Sequence, residues 1–439
     1  NQCFGNQYSR YLSAKDVEYS FNRLMDPKTA SKGAWIFNGK IDSELINTNH
    51  PLRPFKAIGD SIFELRLNKA FAPILALLAM PYCAIIPHEA VEYYGNDFRK
   101  NPVGTGPFQL DYWDESVKLI LKKNGVYHQF VNNQRLPLID FVEISFIASK
   151  QTAFMEFAAG KLDMINGLES SYKDELLNKD ATLKDKYKGK FNLLVSPFLN
   201  TEYLGISLQS PNNLLSKSEF RKALSLGIDR EKMIKYLKNG IGDAQIYGFI
   251  PTGIPFKPNA PSHFSSYNPQ LAKDYLNSLD LSEGLIIYTN KNYLDIAVFL
   301  QNEWKLLGIN SKIEVNPGSF HRQRVSKGEF PIFRGSWIAD YPDAENYLAL
   351  FYSPFITPNG PNTFFYKNQK FDQLYEQISS SFNPQVRSEL ISQAIQILEN
   401  DCPAIVLFYD KSLRLYSKKI KNFRNDPMNR LILKSIEIE

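Results

Sequence analysis

Between residues 284 and 317 the chain reads "GLIIYTN", then "LDIAVFLQNEWKLLG", then "SKIEVNP". A short apolar run rich in β-branched residues, a stretch with helical spacing and a second extended run predict a βαβ unit. Such a unit lays a helix against a sheet, so this region is expected to be an α/β lobe. The same rhythm is read earlier: "FVEISFIAS" (141–149) as a strand, a helix capped by Ser149 that carries Phe154, Phe157 and Ala158 and stops at Gly160, then "KLDMINGL" (161–168) as the next strand. A chain of 439 residues exceeds what one hydrophobic core supports, so two lobes are expected.

Other elements have clear punctuation. In "SAKDVEYSFNRLMDP" Ser13 and Asp16 form a capping box, Val17, Phe21, Leu24 and Met25 recur at helical spacing, and Pro27 ends the run. "SIFELRLN" (61–68) predicts a strand. "FAPILALLAMPYCAIIP" (71–87) predicts a buried helix followed by a strand, and its prolines and length fall short of the roughly 20 apolar residues of a membrane span. In "NPVGTGPFQLDYW" the glycines and prolines around Thr105 predict a tight loop before an alternating strand. "NTEYLGISLQ" (200–209) is extended and leads into helices marked by Phe220, Leu224, Ile228, Ile234 and Leu237, with Asp229 as a cap and Gly240 as the terminator. Asn383 and Pro384 open a last helix, and "CPAIVLFYD" (402–410) follows as a strand.

Several function classes find no footing. The net charge of +5 comes from 51 basic and 46 acidic residues without local basic blocks, and "KKIKNFR" (418–424) reads as a solvated face, so nucleic acid is not implied. Cys3, Cys83 and Cys402 are odd in number and lack CxxC spacing, which gives neither a disulfide framework nor a zinc site. No phosphate-binding loop, dinucleotide fingerprint or nucleophile elbow occurs, and "HEAVE" (88–92) has Glu92 where a zinc protease needs its second histidine. The five histidines have no ligand spacing. Asp340 and Asp343 lie three apart across a proline turn, with no reason to face one another as glycosidase carboxylates do. No catalytic residue, cofactor or metal is therefore expected. Binding fares better, because 24 tyrosines and 31 phenylalanines supply apolar contact surface, and a few in loops suffice to line a cleft.

Four stretches then converge: "LSAKDVEYSFNRLMDP", "IIPHEAVEYYGNDFRKNPVGTGPFQL", "FRKALSLGIDREKMI" and "GSWIADYPDAENYL". In their order and rough spacing the chain resembles the extracytoplasmic solute-binding proteins of ABC importers, oligopeptide- and dipeptide-binding family 5. The resemblance covers essentially the whole chain. It implies a two-lobed α/β periplasmic-binding-protein fold of the hinge-closing type, with residues 1–203 as the first lobe, 204–402 as the second and 403–439 as a return segment completing the first. The family helix that corresponds to "LSAKDVEYSF" follows a longer N-terminal stretch, so the expectation is a fragment lacking the N-terminal part of the first lobe, in which Cys3 is not a lipid-anchored cysteine.

The function so implied is capture of short peptides between the lobes and delivery to a membrane permease, by a monomer in the periplasm or at the cell surface, with or without a lipid anchor. By the same resemblance, Asp340 matches the aspartate that holds the peptide α-ammonium; the bland alternative is an exposed turn aspartate. Ser336, Trp337 and Ile338 match a strand whose backbone pairs with the ligand. Arg334 matches an arginine lining the cleft, with a salt bridge to a neighbour as the alternative. Extended geometry would put Arg334 and Asp340 on one face, roughly 20 Å apart. Asn200 and Tyr203 match cleft-facing positions, while Ala344 and Glu345 stand where proline and aspartate are commoner. The runner-up reading is a receptor of the same fold for a nickel complex, haem or an oligosaccharide; a hydrolase would need a constellation assembled only in space.

Overall fold

The computed structural model describes residues 1–7, 9–167, 170–256 and 261–439, so the last residue of the expected 161–168 strand lies outside the described residues. The chain divides into two compact units, one of residues 1–163, 417–424 and 431–439, the other of 164–416 and 425–430. The lobe boundaries expected at 203 and 402 differ from these divisions, because the strands Phe191–Ile206 and Ala404–Ser417 lie side by side within one six-stranded sheet and do not split there.

In the first unit the capping box forms as its sequence predicts. The Ser13 amide donates to Asp16 Oδ2 (2.8 Å) and the helix runs Ala14–Met25. Its apolar stripe buries Phe21 among the rings of Phe37, Phe55 and Phe63, with centroids 5.3–5.6 Å away, a separation suited to tilted and edge-on aromatic packing. The Thr105 loop leads into Phe108–Asp114, which pairs antiparallel with Lys118–Lys123, and that strand pairs antiparallel with Phe141–Ser145. Two expectations change here. No strand follows the short helix Ile74–Leu78; residues 84–87 are irregular, bracketed by Pro81 and Pro87, and proline disfavours ladder pairing. The 141–166 segment is not one βαβ unit either, since Met164–Asn166 pairs antiparallel with Arg414–Tyr416 in a different sheet.

The second unit is built on that sheet, ordered Ser311–Val315, Leu285–Thr289, Ile332–Ile338, Phe191–Ile206, Ala404–Ser417, Met164–Asn166. Leu285–Thr289 and Ser311–Val315 are parallel and joined through the helix Leu294–Lys305, the crossover the sequence announces. Ile332–Ile338 runs antiparallel to Phe191–Ile206, with Phe333 opposite Gly205 and Ile338 opposite Asn200. Strand alternation then separates two faces. Leu204, Ile206, Ile287 and Ile332 pack with residues of the helices Ser218–Leu226, Arg230–Leu237, Pro269–Leu276 and Leu294–Lys305. Tyr203, Phe333 and Ala339 pack with residues of Glu345–Leu348, Gln369–Ser380 and Pro384–Asp401. Helices on both sides of a mixed sheet make this unit α/β, as expected from the sequence.

Candidate functional site

Among the described residues the strand Ile332–Ile338 has a neighbour along its whole length on one side only. Its parallel pairing with Leu285–Thr289 covers Ile332 and Phe333 and then stops. Backbone groups of successive residues in a strand point to opposite edges. Because the Ala339 amide donates to Leu199 O (2.9 Å), the odd-numbered residues face Phe191–Ile206, and Arg334, Ser336 and Ile338 turn their backbone outward. The Arg334 carbonyl accepts from His321 Nε2 (3.0 Å), and burial holds the His321 ring below its usual pKa. Ser336 and Ile338 remain: among the described residues no strand pairs with their outward edge.

Two features close the end of this strand. Gly335 lies under the Tyr203 ring, where a Cβ would come within 2.6 Å of ring carbons. Tyr203 itself is buried, 5.0 Å from the Phe249 ring and 5.6 Å from Phe364. The expected cleft-facing role of Tyr203 is thus replaced by a core role, since its position in the alternation places it on the apolar face.

Past Ile338 the chain turns, so Arg334 and Asp340 do not lie on one continuous extended strand. The turn is tied down by side chains. Asn346, itself buried, accepts at Oδ1 from Trp337 Nε1 (2.9 Å) and from the Asp340 amide (3.2 Å). Asp343 Oδ1 accepts from the Glu345 amide (2.9 Å) while its carboxylate makes a forked pair with Arg387 (2.7 and 3.0 Å). The hydroxyls of Tyr341 and Tyr375 both donate to the buried Glu345 carboxylate. Asp340 is the exception. It is exposed, yet among the described residues no basic side chain lies within 4.0 Å of its carboxylate. The bulk packed around it raises its pKa by desolvation, and a hydrogen bond from Asn346 works in the opposite direction. A carboxylate so placed favours a cation.

On the other face of the strand, Arg334 donates to Glu202, and its guanidinium stacks on Tyr293, 3.2 Å from the ring centroid. Asn200 Nδ2 donates to Glu202 Oε1 (3.0 Å) and approaches Asp410 Oδ2 (3.4 Å), and Lys238 Nζ donates to Asp410 Oδ1 (3.1 Å). Burial pushes the Glu202 carboxyl up; the Arg334 charge opposes this and Asp410 adds to it. Of the two roles open to Arg334 in the sequence, the structure displays the salt bridge. Glu202, Tyr293, Lys238, Asp410, His321 and Asn346 all escaped sequence reasoning. Only Glu202 carried a signal, its i, i+2 relation to Asn200 in a strand.

The one cluster of three potential metal ligands among the described residues is Asp16, His88 and Glu89 in the first unit. The Arg10 guanidinium bridges Asp16 and Glu89 and supplies the positive charge there. No helix among the described residues is long and apolar enough to cross a membrane.

Comparison with known proteins agrees with this architecture. The chain is 25% identical over 447 residues to the periplasmic oligopeptide-binding protein OppA of Salmonella typhimurium, covering 97% of this chain and 79% of that one. The periplasmic murein tripeptide-binding protein MppA, in an unliganded open form, superposes with a TM-score of 0.81 at 23% identity, over 98% of this chain and 83% of the other. The DppA periplasmic binding protein of Helicobacter pylori, in complex with the peptide STSA, gives 0.72 at 24% identity, over 98% and 82%. Residues 10–359 match the family model described as bacterial extracellular solute-binding proteins, family 5 middle. With most of its length inside that match, and with an α/β sheet unit ending in a free strand edge and an unpaired carboxylate, the chain belongs to the family 5 extracellular solute-binding proteins.

Proposed function

We propose that this protein is the peptide receptor of an ABC importer. It takes the free ammonium of a short peptide at Asp340 and pairs the peptide backbone with the outward groups of Ser336 and Ile338. The observation that carries this reading is the juxtaposition of an unpaired carboxylate with a free strand edge two residues away. A charge-assisted bond to an ammonium contributes roughly 1.5–3 kcal/mol, and backbone pairing is indifferent to side chains, so the combination suits peptides of mixed sequence. Trp337 contributes by holding Asn346, not by offering its indole N–H to ligand, because that N–H is already engaged. Arg334 and Asn200 belong to the buried network with Glu202 and act on the strand from behind.

The relatives named above support the peptide class through what they bind. On this reading the receptor works as a monomer outside the cytoplasmic membrane, passes its cargo to a membrane permease, and binds without covalent chemistry. Native mass spectrometry of the purified protein tests it, with masses read before and after mild denaturation. Released peptides of mixed sequence are expected; a single non-peptide mass, or turnover of an added peptide, would overturn it.

A further inference from the structure

The helix Gly318–Ser326 buries one residue, and that residue is polar. His321 turns inward until its Nε2 lies 3.0 Å from the Arg334 carbonyl, with its ring tilted on Phe330 at a centroid distance of 5.5 Å. A carbonyl oxygen only accepts, so Nε2 carries the proton and donates. Nδ1 is buried and, among the described residues, has no hydrogen-bond partner. The imidazole thus makes its one polar contact with the outward row of the strand Ile332–Ile338.

The Arg334 carbonyl is the next acceptor on that edge, two residues before Ser336 and four before Ile338. Because Arg334 turns its backbone to the edge, the imidazole nitrogen stands where the amide of a pairing strand would come. The period of the pleat fixes the register of a guest. A peptide whose ammonium sits at Asp340 and which descends the edge toward Arg334 runs antiparallel to the strand. Its first residue faces Ile338, its third faces Ser336, and its fifth comes up to Arg334. The amide of that fifth residue meets an acceptor already taken.

We infer that His321 sets the length of backbone this receptor reads: by holding the Arg334 carbonyl it ends the pairing at the third residue of the peptide and leaves the fifth amide unread. This rests on the reading of Asp340 and the strand edge given above. His321 is then a specificity-determining residue that competes with the ligand for one acceptor. A lone buried histidine on an otherwise exposed helix suits that role, since its N–H and not its bulk is what the strand uses.

The experiment uses the full chain and three pools of random five-residue peptides with free amines: one unmodified, one N-methylated at the third residue and one at the fifth. N-methylation removes the amide donor without adding charge. Wild type should bind the pool methylated at residue three roughly three- to tenfold more weakly than the unmodified pool, and the pool methylated at residue five with unchanged affinity. His321→Ala bares the carbonyl, and a penalty of the same size should appear at residue five. His321→Leu also lacks a donor but fills more of the space, and serves if the alanine variant does not fold. His321→Gln keeps an N–H at about the reach of Nε2 and should restore the wild-type pattern.

A wild-type penalty at residue five equal to that at residue three would overturn the inference, because the amide would be read despite the ring. Folded His321→Ala or His321→Leu protein that ignores methylation at residue five would overturn it too, reducing the ring to a pin between helix and strand. In both cases the penalty at residue three leaves the strand-edge reading standing. If wild type ignores methylation at residue three, or binds none of the pools, that reading falls and the inference with it.

Discussion

Glu202 and Arg334 form a diagonal ion pair across two antiparallel strands: Glu202 stands opposite Ser336, two residues along from Arg334 on the same face, and both side chains are largely buried. The pair is closed over by Tyr293 and backed by Asn200, so it is insulated from water. Truncating one partner leaves the other charge buried and uncompensated. Glu202→Gln or Arg334→Met should each destabilise the protein by about 3 kcal/mol in urea unfolding, and the double variant should recover part of that loss.

The contact between Gly335 and Tyr203 gives a second prediction. Gly335→Ala drives a methyl into a ring held by Phe249 and Phe364, and should cost about 1–3 kcal/mol by overpacking. In the background of Tyr203→Leu the same alanine should cost markedly less. Equal melting shifts in both backgrounds would show that the ring is not what resists the methyl.

Asp340 predicts the pH dependence of binding. Desolvation raises its pKa in the ligand-free protein, whereas a bound ammonium favours the charged carboxylate and lowers it. Binding therefore releases a proton once the pH falls into the range of the free carboxyl, and affinity should decline as the pH is taken from about 7 to about 4. Calorimetry in buffers of different ionisation enthalpy measures the proton count directly. The sign for stability is the reverse. A raised carboxyl pKa means that the native ligand-free state binds protons more readily than the unfolded chain, so Asp340 opposes folding above its unfolded pKa. Asp340→Asn should accordingly raise the ligand-free melting temperature at neutral pH while weakening peptide binding severely.

Asp343 behaves in the opposite way. Its forked bond to Arg387 joins the turn to the helix Pro384–Asp401. Arg387→Met should lower stability by about 1–3 kcal/mol, with peptide affinity per folded molecule unchanged, as fluorescence titration at a temperature well below melting would report. Two aspartates three residues apart are thus separable by experiment, one acting in binding and one in folding.

The sequence made the sheet unit readable because its signals are local. Asp229 and Asn383 cap their helices as their residue types predict, and the 284–317 run forms the crossover it spells. Asp340 and the 336–338 strand are legible only through the resemblance carried by "GSWIADYPDAENYL". What stayed hidden depends on register. Nothing in the order of residues says that Glu202 falls diagonal to Arg334, that His321 reaches the Arg334 carbonyl, or that Asn346 folds back six residues onto Asp340. Tyr203 faces the core and not a cleft for the same reason: a tyrosine in a strand faces one or the other according to a one-residue phase that the neighbouring strands decide.

The His321 bond to the Arg334 carbonyl has a further consequence. An unpaired strand edge invites any extended chain, including another copy of the same protein, and long flat edges aggregate. Here the outward row is cut to two residues, Ser336 and Ile338, because the parallel neighbour covers the strand as far as Phe333 and a histidine plugs the next carbonyl. What is left is an outward edge of two residues among the described residues, far shorter than the long flat edges that template a further sheet, and the histidine bond is one of the two contacts that shorten it.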